Sequence, residues 1–95
     1  MSRMSLNESN QTVNFGYGVA TYLSKTEFKL LKVLHDNEGA LVDRNEVLIS
    51  IWGEANVWNA RSMDVYICKL RKILKPHYKI VNIHGKVTFY KNHKL

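Results

Sequence analysis

A chain of 95 residues with 45% hydrophobic side chains can form one small domain with its own core, without help from disulfides or metal ions. No apolar run approaches the roughly 18 residues of a membrane-spanning helix, which excludes a membrane partner of that kind. The single cysteine, Cys68, cannot form a disulfide within the chain and favours a reducing compartment, the cytoplasm. We therefore expect one cytoplasmic domain, residues 1–95.

The net charge of +6 is concentrated in the last third of the chain. Residues 1–60 contain five Lys and Arg against seven Asp and Glu, a balance of −2, whereas residues 61–95 contain nine against one, a balance of +8. A segregated basic surface on a small domain indicates a polyanionic partner. Nucleic acid is favoured over a membrane surface, because the basic helix described below backs onto a core and does not expose a Trp/Phe/Leu face.

The N-terminal part predicts short strands followed by a helix. Residues 1–23 alternate between apolar and polar side chains around turn-like segments, which is typical of a small antiparallel meander. Ser24 and Glu27 form a capping-box pattern, in which the serine oxygen accepts from the Glu27 amide and the carboxylate reaches back. The first helix is therefore predicted over residues 24–37, ahead of Gly39, a natural helix stop.

A second helix is predicted over residues 44–52. Asp43 stands at its start, with a glutamate three residues further on, and Gly53 ends it. Residues 53–59 then form a loop.

The third helix, predicted over residues 60–75, has two chemically different faces. Asn59 is the expected N-cap, and Pro76 ends the helix because the residue before a proline disfavours α geometry. At about 100° per residue, one apolar stripe should face the core: Met63, Ile67, Leu70 and Leu74. The opposite face carries cations around a small apolar patch: Arg61, Val65, Cys68, Lys69 and Lys72. Such a face suits a DNA groove, although an ordinary amphipathic surface helix gives the same pattern.

Two β-rich runs joined at His84-Gly85 predict a hairpin over residues 79–90. The order of elements is then short strands, three helices and a basic hairpin. It predicts an α+β fold, a winged helix-turn-helix with a small N-terminal antiparallel sheet, a three-helix core and a C-terminal hairpin wing.

Three sequence blocks resemble the effector domains of OmpR/PhoB-type response regulators. Residues 23–31, Leu-Ser-Lys-Thr-Glu-Phe-Lys-Leu-Leu, are similar to the family's opening L-T-x-x-E-F-x-L-L. Residues 42–53 resemble the block that ends in Trp-Gly, and residues 61–74 resemble R-T-V-D-V-H-I-x-x-L-R-K-K-L. Three blocks in this order and at these separations are specific, whereas no single block would be.

The resemblance implies sequence-specific binding of double-stranded DNA for transcription regulation. In this family the third helix enters the major groove, the wing reaches the neighbouring minor groove, and tandem half-sites recruit two domains head to tail. The loop between the second and third helices can contact RNA polymerase. In most members a phosphorylated receiver domain precedes the effector domain, which is then the output domain of a two-component system. The sequence leaves open whether this chain is an excised effector domain or a free-standing regulator.

The resemblance also implies roles for individual residues. Lys69 matches a position that often reads bases, and Val65 faces the same way and could contact a thymine methyl. Backbone phosphates are the expected partners of three side chains, Arg61, Lys72 and the indole N–H of Trp52. Cys68 takes a groove-facing place, whereas Arg71 lies on the flank, where a phosphate and an intramolecular acid are equally expected. Asp64 is expected to be a partner within the fold. The residues expected in the RNA polymerase contact loop are Glu54, Asn56 and Trp58.

The wing departs from the family pattern, which usually ends R-G-x-G-Y-R/K-L/F. Here Val87 replaces a glycine that permits unusual backbone angles, and Thr88 replaces the aromatic residue that follows. We therefore expect a wing that is less tightly turned or shifted in register. Its minor-groove contacts then fall to His84 and Lys86.

A second functional class stays open, a winged-helix module whose basic face binds an acidic protein or RNA. RNA recognition usually uses exposed aromatic side chains for stacking, and the basic face has few of them. We expect no enzyme, because no paired carboxylates, Ser/His/Asp set or phosphate-binding loop is present. The histidines are scattered without zinc-site spacing, so that neither a metal ion nor another cofactor is expected.

Overall fold

The computed structural model describes residues 4–15 and 20–92. Its elements in chain order are β1 Ser5–Asn7, β2 Thr12–Asn14, β3 Ala20–Tyr22, α1 Lys25–Asp36, β4 Leu41–Asp43, α2 Arg44–Trp52, α3 Val57–Leu74, β5 Tyr78–Ile83 and β6 Lys86–Lys91. The predicted α+β architecture of short strands, three helices and a hairpin is confirmed. Within the described residues, none of the helices is long and apolar enough to cross a membrane.

The N-terminal strands form an antiparallel sheet in the order β1-β2-β3. Leu6 pairs with Val13, which pairs in turn with Thr21. Val13 is fully buried, and its cross-strand partners Leu6 and Thr21, which share its face of the sheet, are half-buried beside it. The predicted meander is thus confirmed, and its turn at residues 16–18 lies outside the described residues.

The first two helices begin and end at the predicted signals. The Glu27 amide donates to Ser24 Oγ at 3.2 Å, and the Ser24 amide donates to Glu27 Oε1 at 2.7 Å, which completes the capping box. Asp43 caps α2 by accepting from the Asn45 amide at 2.8 Å. Gly53 ends α2 with φ of 83°, a left-handed conformation that glycine adopts at little cost.

The third helix begins three residues earlier than predicted, at Val57. Its N-cap is Asn56 and not Asn59: the Asn59 amide donates to Asn56 Oδ1 at 2.8 Å, so the predicted cap lies inside the first turn. Both asparagines are good caps by type, and the extra turn packs Ala60 against the core. The loop between α2 and α3 therefore spans only residues 53–56, and Trp58 belongs to the helix.

The C-terminal hairpin is part of a second sheet, in the order β4-β6-β5. Strand β4 was not predicted, because three residues are too few for a periodic signal. It pairs antiparallel with β6, with Val42 opposite Val87.

The expectation of a less tightly turned wing is wrong, whereas its alternative, a shift in register relative to the family, stays a prediction. Ile83 pairs with Lys86, so that His84-Gly85 is a two-residue turn with φ of 47° and 77°. Two positive φ angles are what a type I′ hairpin requires, and histidine is among the residues that tolerate one. Val87 does not lie in the turn at all. It is fully buried in the central strand β6, an environment that suits a β-branched side chain.

The predicted apolar stripe of α3 is confirmed. Its four side chains are each at most 1% exposed, and they are Met63, Ile67, Leu70 and Leu74. Phe89 of β6 closes the other side of the core, with its ring stacked on Tyr78 at 4.9 Å between centroids. With one face of α3 fixed on the core in this way, the opposite face is turned to solvent.

Replacing Asn56 by alanine tests the observed start of α3. Asn56→Ala should lower the free energy of unfolding by about 1 kcal/mol, because the Asn59 amide loses its acceptor. Urea denaturation followed by circular dichroism measures the change. Asn45→Ala is the matched control, since Asn45 is exposed in α2 and its side chain makes no hydrogen bond to the described residues. Equal stability of the Asn56→Ala variant and the unaltered protein would contradict the assigned cap.

Candidate nucleic-acid interface

The exposed face of α3 carries a row of cationic and apolar side chains, which we call the basic row. Its members, all exposed, are Trp58, Arg61, Val65, Cys68, Lys69 and Lys72. Five of them are the residues that the helical periodicity places opposite the core, and Trp58 joins them because α3 begins at Val57. The two large apolar members are well exposed, Trp58 at 70% and Val65 at 53%.

Two of the three cations of the basic row, Arg61 and Lys69, lie against aromatic rings. The Arg61 guanidinium lies 5.6 Å from the centroid of the Trp58 ring, and the Lys69 ammonium lies 5.3 Å from that of Tyr66. Among the described residues, no acidic group lies within salt-bridge distance of Arg61, Lys69 or Lys72. A ring orients a cation without cancelling its charge. The positive charge of this face therefore stays available to an outside anion.

The end of α2 supports the middle of the basic row. The Trp52 ring packs at 6.1 Å from Tyr66, on which Lys69 rests. The Trp52 indole nitrogen has no hydrogen-bond partner among the described residues, yet no unpaired polar side-chain atom in them is buried. Its N–H therefore reaches the surface beside α3, where a phosphate oxygen could accept from it.

Arg44, the first residue of α2, joins α3 to the wing. Its Nη2 donates to Asp64 Oδ1 at 3.0 Å, its Nη1 donates to Asn82 Oδ1 at 2.9 Å, and its backbone N–H donates to the Gly85 carbonyl at 3.0 Å. The expected role of Asp64 as a partner within the fold agrees with this contact. Sequence reasoning gave Arg44 no role. One feature of the sequence pointed to it: Asp64 is the only acidic residue among residues 61–95, which indicates an ion pair with a cation from another element.

The wing brings His84 and Lys86 to its tip, and both are exposed. Lys86 Nζ lies 4.0 Å from Asp43 Oδ2, with both side chains about half exposed, so this ion pair is weak. Ile83, at 42% exposure, adds an apolar side chain at the same end. The two predicted wing residues are thus free to meet a ligand that lies against the tip.

Arg71 is engaged within the fold by a backbone carbonyl, where the expected partner inside the molecule was an acidic side chain; its contact with a phosphate stays a prediction. Its Nε and Nη2 both donate to the carbonyl of Ile80, at 3.1 and 2.9 Å. Two of the three guanidinium nitrogens therefore hold α3 against β5. The position of Arg71 on the flank explains this contact, since it lies beside the buried stripe and not in the basic row.

Of the three residues expected in a polymerase-contact loop, Glu54 and Asn56 lie in the loop and contact each other, whereas Trp58 lies in α3. Glu54 is exposed in the short loop, where its carboxylate accepts from Asn56 Nδ2 at 3.0 Å and its carbonyl accepts from Asn59 Nδ2 at 2.9 Å. Asn56 caps α3 by accepting from the Asn59 amide, and Trp58 is part of the basic row of α3. Of the three, only Glu54 is an exposed side chain of the loop itself.

Comparison with known proteins places this geometry in a family. Residues 18–86 match the family described as "Transcriptional regulatory protein, C terminal". The chain is 47% identical over 68 residues to the transcriptional regulatory protein RprY of Bacteroides fragilis, and 38% identical over 66 residues to the response regulator ArlR of Staphylococcus aureus. Each alignment covers 70% of this chain and 29% of the relative, so the chain spans less than a third of these curated relatives.

Solved structures show the same fold. The DNA-binding domain of CssR from Bacillus subtilis superposes with a TM-score of 0.73 at 23% identity, over 95% of this chain and all of that one. The RstA DNA-binding domain of Klebsiella pneumoniae, solved in complex with the RstA box, gives 0.73 at 28% identity, over 93% of this chain and 89% of that one. As its three sequence blocks predict, the chain belongs to the family of C-terminal domains of transcriptional regulatory proteins, the OmpR/PhoB-type effector domains of response regulators.

Proposed function

We propose that this domain regulates transcription by binding double-stranded DNA at specific sequences. The observation that carries the proposal is the basic row of α3, in which three cations without salt bridges to described residues surround Val65. The fold of this chain resembles that of the RstA DNA-binding domain, which was solved in complex with the RstA box, and this likeness supports a DNA ligand here. An α-helix with its side chains fits the major groove, which is about 12 Å wide.

Within the groove, the members of the row have different tasks. Lys69 offers its ammonium to guanine O6 and N7, and Val65 offers its methyl groups to a thymine methyl. Lysine acts as a point charge, so this contact is less selective than a bidentate arginine. Arg61, Lys72 and the Trp52 N–H bind phosphates, which fix the register of the helix without reading sequence.

The wing extends the interface to the neighbouring minor groove. That groove has a negative potential, which attracts cationic side chains, and His84 and Lys86 are the exposed candidates at the tip. Arg44 keeps the tip at a defined distance from α3 through its bonds to Asp64, Asn82 and Gly85. Arg71 acts on the interface only indirectly, by anchoring α3 to β5.

For the whole protein we propose a cytoplasmic two-component response regulator that binds tandem half-sites as a homodimer. The relative ArlR is named a response regulator, and the alignment covers only 29% of it. This likeness supports a full-length regulator of which the present chain is one domain. A contact with RNA polymerase would use the exposed Glu54, the side chain that the short loop still presents.

The salt dependence of duplex binding tests the proposal. Each phosphate that a cation neutralises should contribute about −0.9 to the slope of the logarithm of the association constant against the logarithm of salt concentration. About four such contacts give a slope near −3.6. Fluorescence anisotropy with a labelled duplex between about 50 and about 200 mM salt measures this slope. Binding that does not respond to salt would contradict the proposal. Preference for RNA or for an acidic protein would favour the alternative winged-helix module.

Lys69→Ala tests base reading within the major groove. After a cognate duplex has been selected from a random pool, the variant should lose about 1–3 kcal/mol of discrimination against duplexes with the contacted guanine replaced. Lys72→Ala is the matched control from the same row, and it should weaken all duplexes alike. If Lys69→Ala also weakens all of them equally, Lys69 binds a phosphate and not a base.

A further inference from the structure

Trp58 is the more exposed of the two large apolar side chains in the basic row. Its indole is 70% exposed, although it is the largest apolar group on this face of the molecule. It lies in the first turn of α3, three residues before Arg61 and seven before Val65, so the three side chains follow one another along one side of the helix. Trp58 therefore extends the DNA-facing surface toward the start of the helix.

The contact between Trp58 and Arg61 has a consequence for phosphate binding. The guanidinium lies 5.6 Å from the ring centroid, and the indole keeps most of its surface open all the same. A guanidinium stacked on a ring loses side-chain freedom but keeps its in-plane N–H donors, which match the oxygens of a phosphate. The first turn of α3 itself contains no acidic residue, and the Glu54 carboxylate just before the helix is engaged with Asn56 Nδ2 at 3.0 Å.

On the basis of the DNA binding proposed above, we propose that Trp58 is part of the DNA interface. Its indole packs against a deoxyribose at the rim of the major groove and holds Arg61 toward the adjacent phosphate. The bases of an intact duplex are stacked on each other, so the apolar edge of the sugar is the surface that a side chain at the rim can cover. In this proposal Trp58 positions Arg61 on the DNA, and the contact with RNA polymerase proposed above is made by Glu54 of the loop and not by Trp58.

The fluorescence of Trp58 gives a direct test. The chain has two tryptophans, so Trp52→Phe leaves Trp58 as the only one and keeps an aromatic ring against Tyr66. Acrylamide should quench this variant less when enough duplex DNA has been added to saturate it, as anisotropy on the same sample shows. Saturated binding with unchanged quenching would overturn the assignment of Trp58 and leave the proposed function standing. No duplex binding by the unaltered protein would instead overturn the proposed function.

Affinity measurements test the positioning of Arg61. Trp58→Ala should weaken duplex binding about five- to thirty-fold, and Trp58→Phe should retain most of the affinity because a benzene ring still supports the guanidinium. Val57→Ala is the matched control, since Val57 is its exposed neighbour but lies off the basic row. In a double-mutant cycle, Arg61→Ala should cost less affinity when Trp58 is already alanine. Additive losses, or duplex affinity unchanged by Trp58→Ala, would overturn the proposal.

Discussion

The guanidinium of Arg44 holds together the parts of the molecule that we propose to meet DNA. It forms charge-assisted hydrogen bonds to Asp64 of α3 and to Asn82 of β5, and the backbone of the same residue binds the wing turn at Gly85. Its side chain is only 18% exposed, so these bonds are partly shielded from competing water. A two-residue hairpin has few contacts of its own at the tip. Together with Arg71, which binds the Ile80 carbonyl of β5, Arg44 therefore sets the distance between α3 and the wing.

The same contact protects the charge of the interface. Asp64 is the only acidic residue among residues 61–95, and its pairing with Arg44 draws it away from the cations of the basic row. Arg61 and Lys69 lie against Trp58 and Tyr66, which orient them without neutralising their charge. Arg61, Lys69 and Lys72 are thus exposed without a salt bridge to any described residue. Long-range attraction of a duplex follows from such a surface.

Local patterns predicted most of the fold, and non-local contacts explain where they failed. The buried stripe of α3, the capping box at Ser24 and the stop at Gly53 depend on residues within one or two turns, so the sequence contains them fully. Asn56 and Asn59 are equally good caps by type, three residues apart, and only the bond from the Asn59 amide to Asn56 Oδ1 in the structure distinguishes them. Arg44 could not be assigned because its partners lie 20 and 38 residues away. The prediction for Val87 came from comparison with the glycine of the family's wing motif, whereas pairing with Val42 of β4 determines the environment of Val87. These two non-local contacts shape the wing, which is the part that sequence reasoning described least well.

An amide chemical-shift titration with a cognate duplex tests most directly whether α3 and the wing form one DNA-binding surface. The account predicts that the largest shifts fall on the exposed side of α3 from Trp58 to Lys72 and on His84 and Lys86, with both groups changing at the same DNA concentration. The exposed side of α1 and strand β1 should stay unshifted. Shifts centred on α1 and β1, or a wing that does not respond while α3 does, would contradict the account.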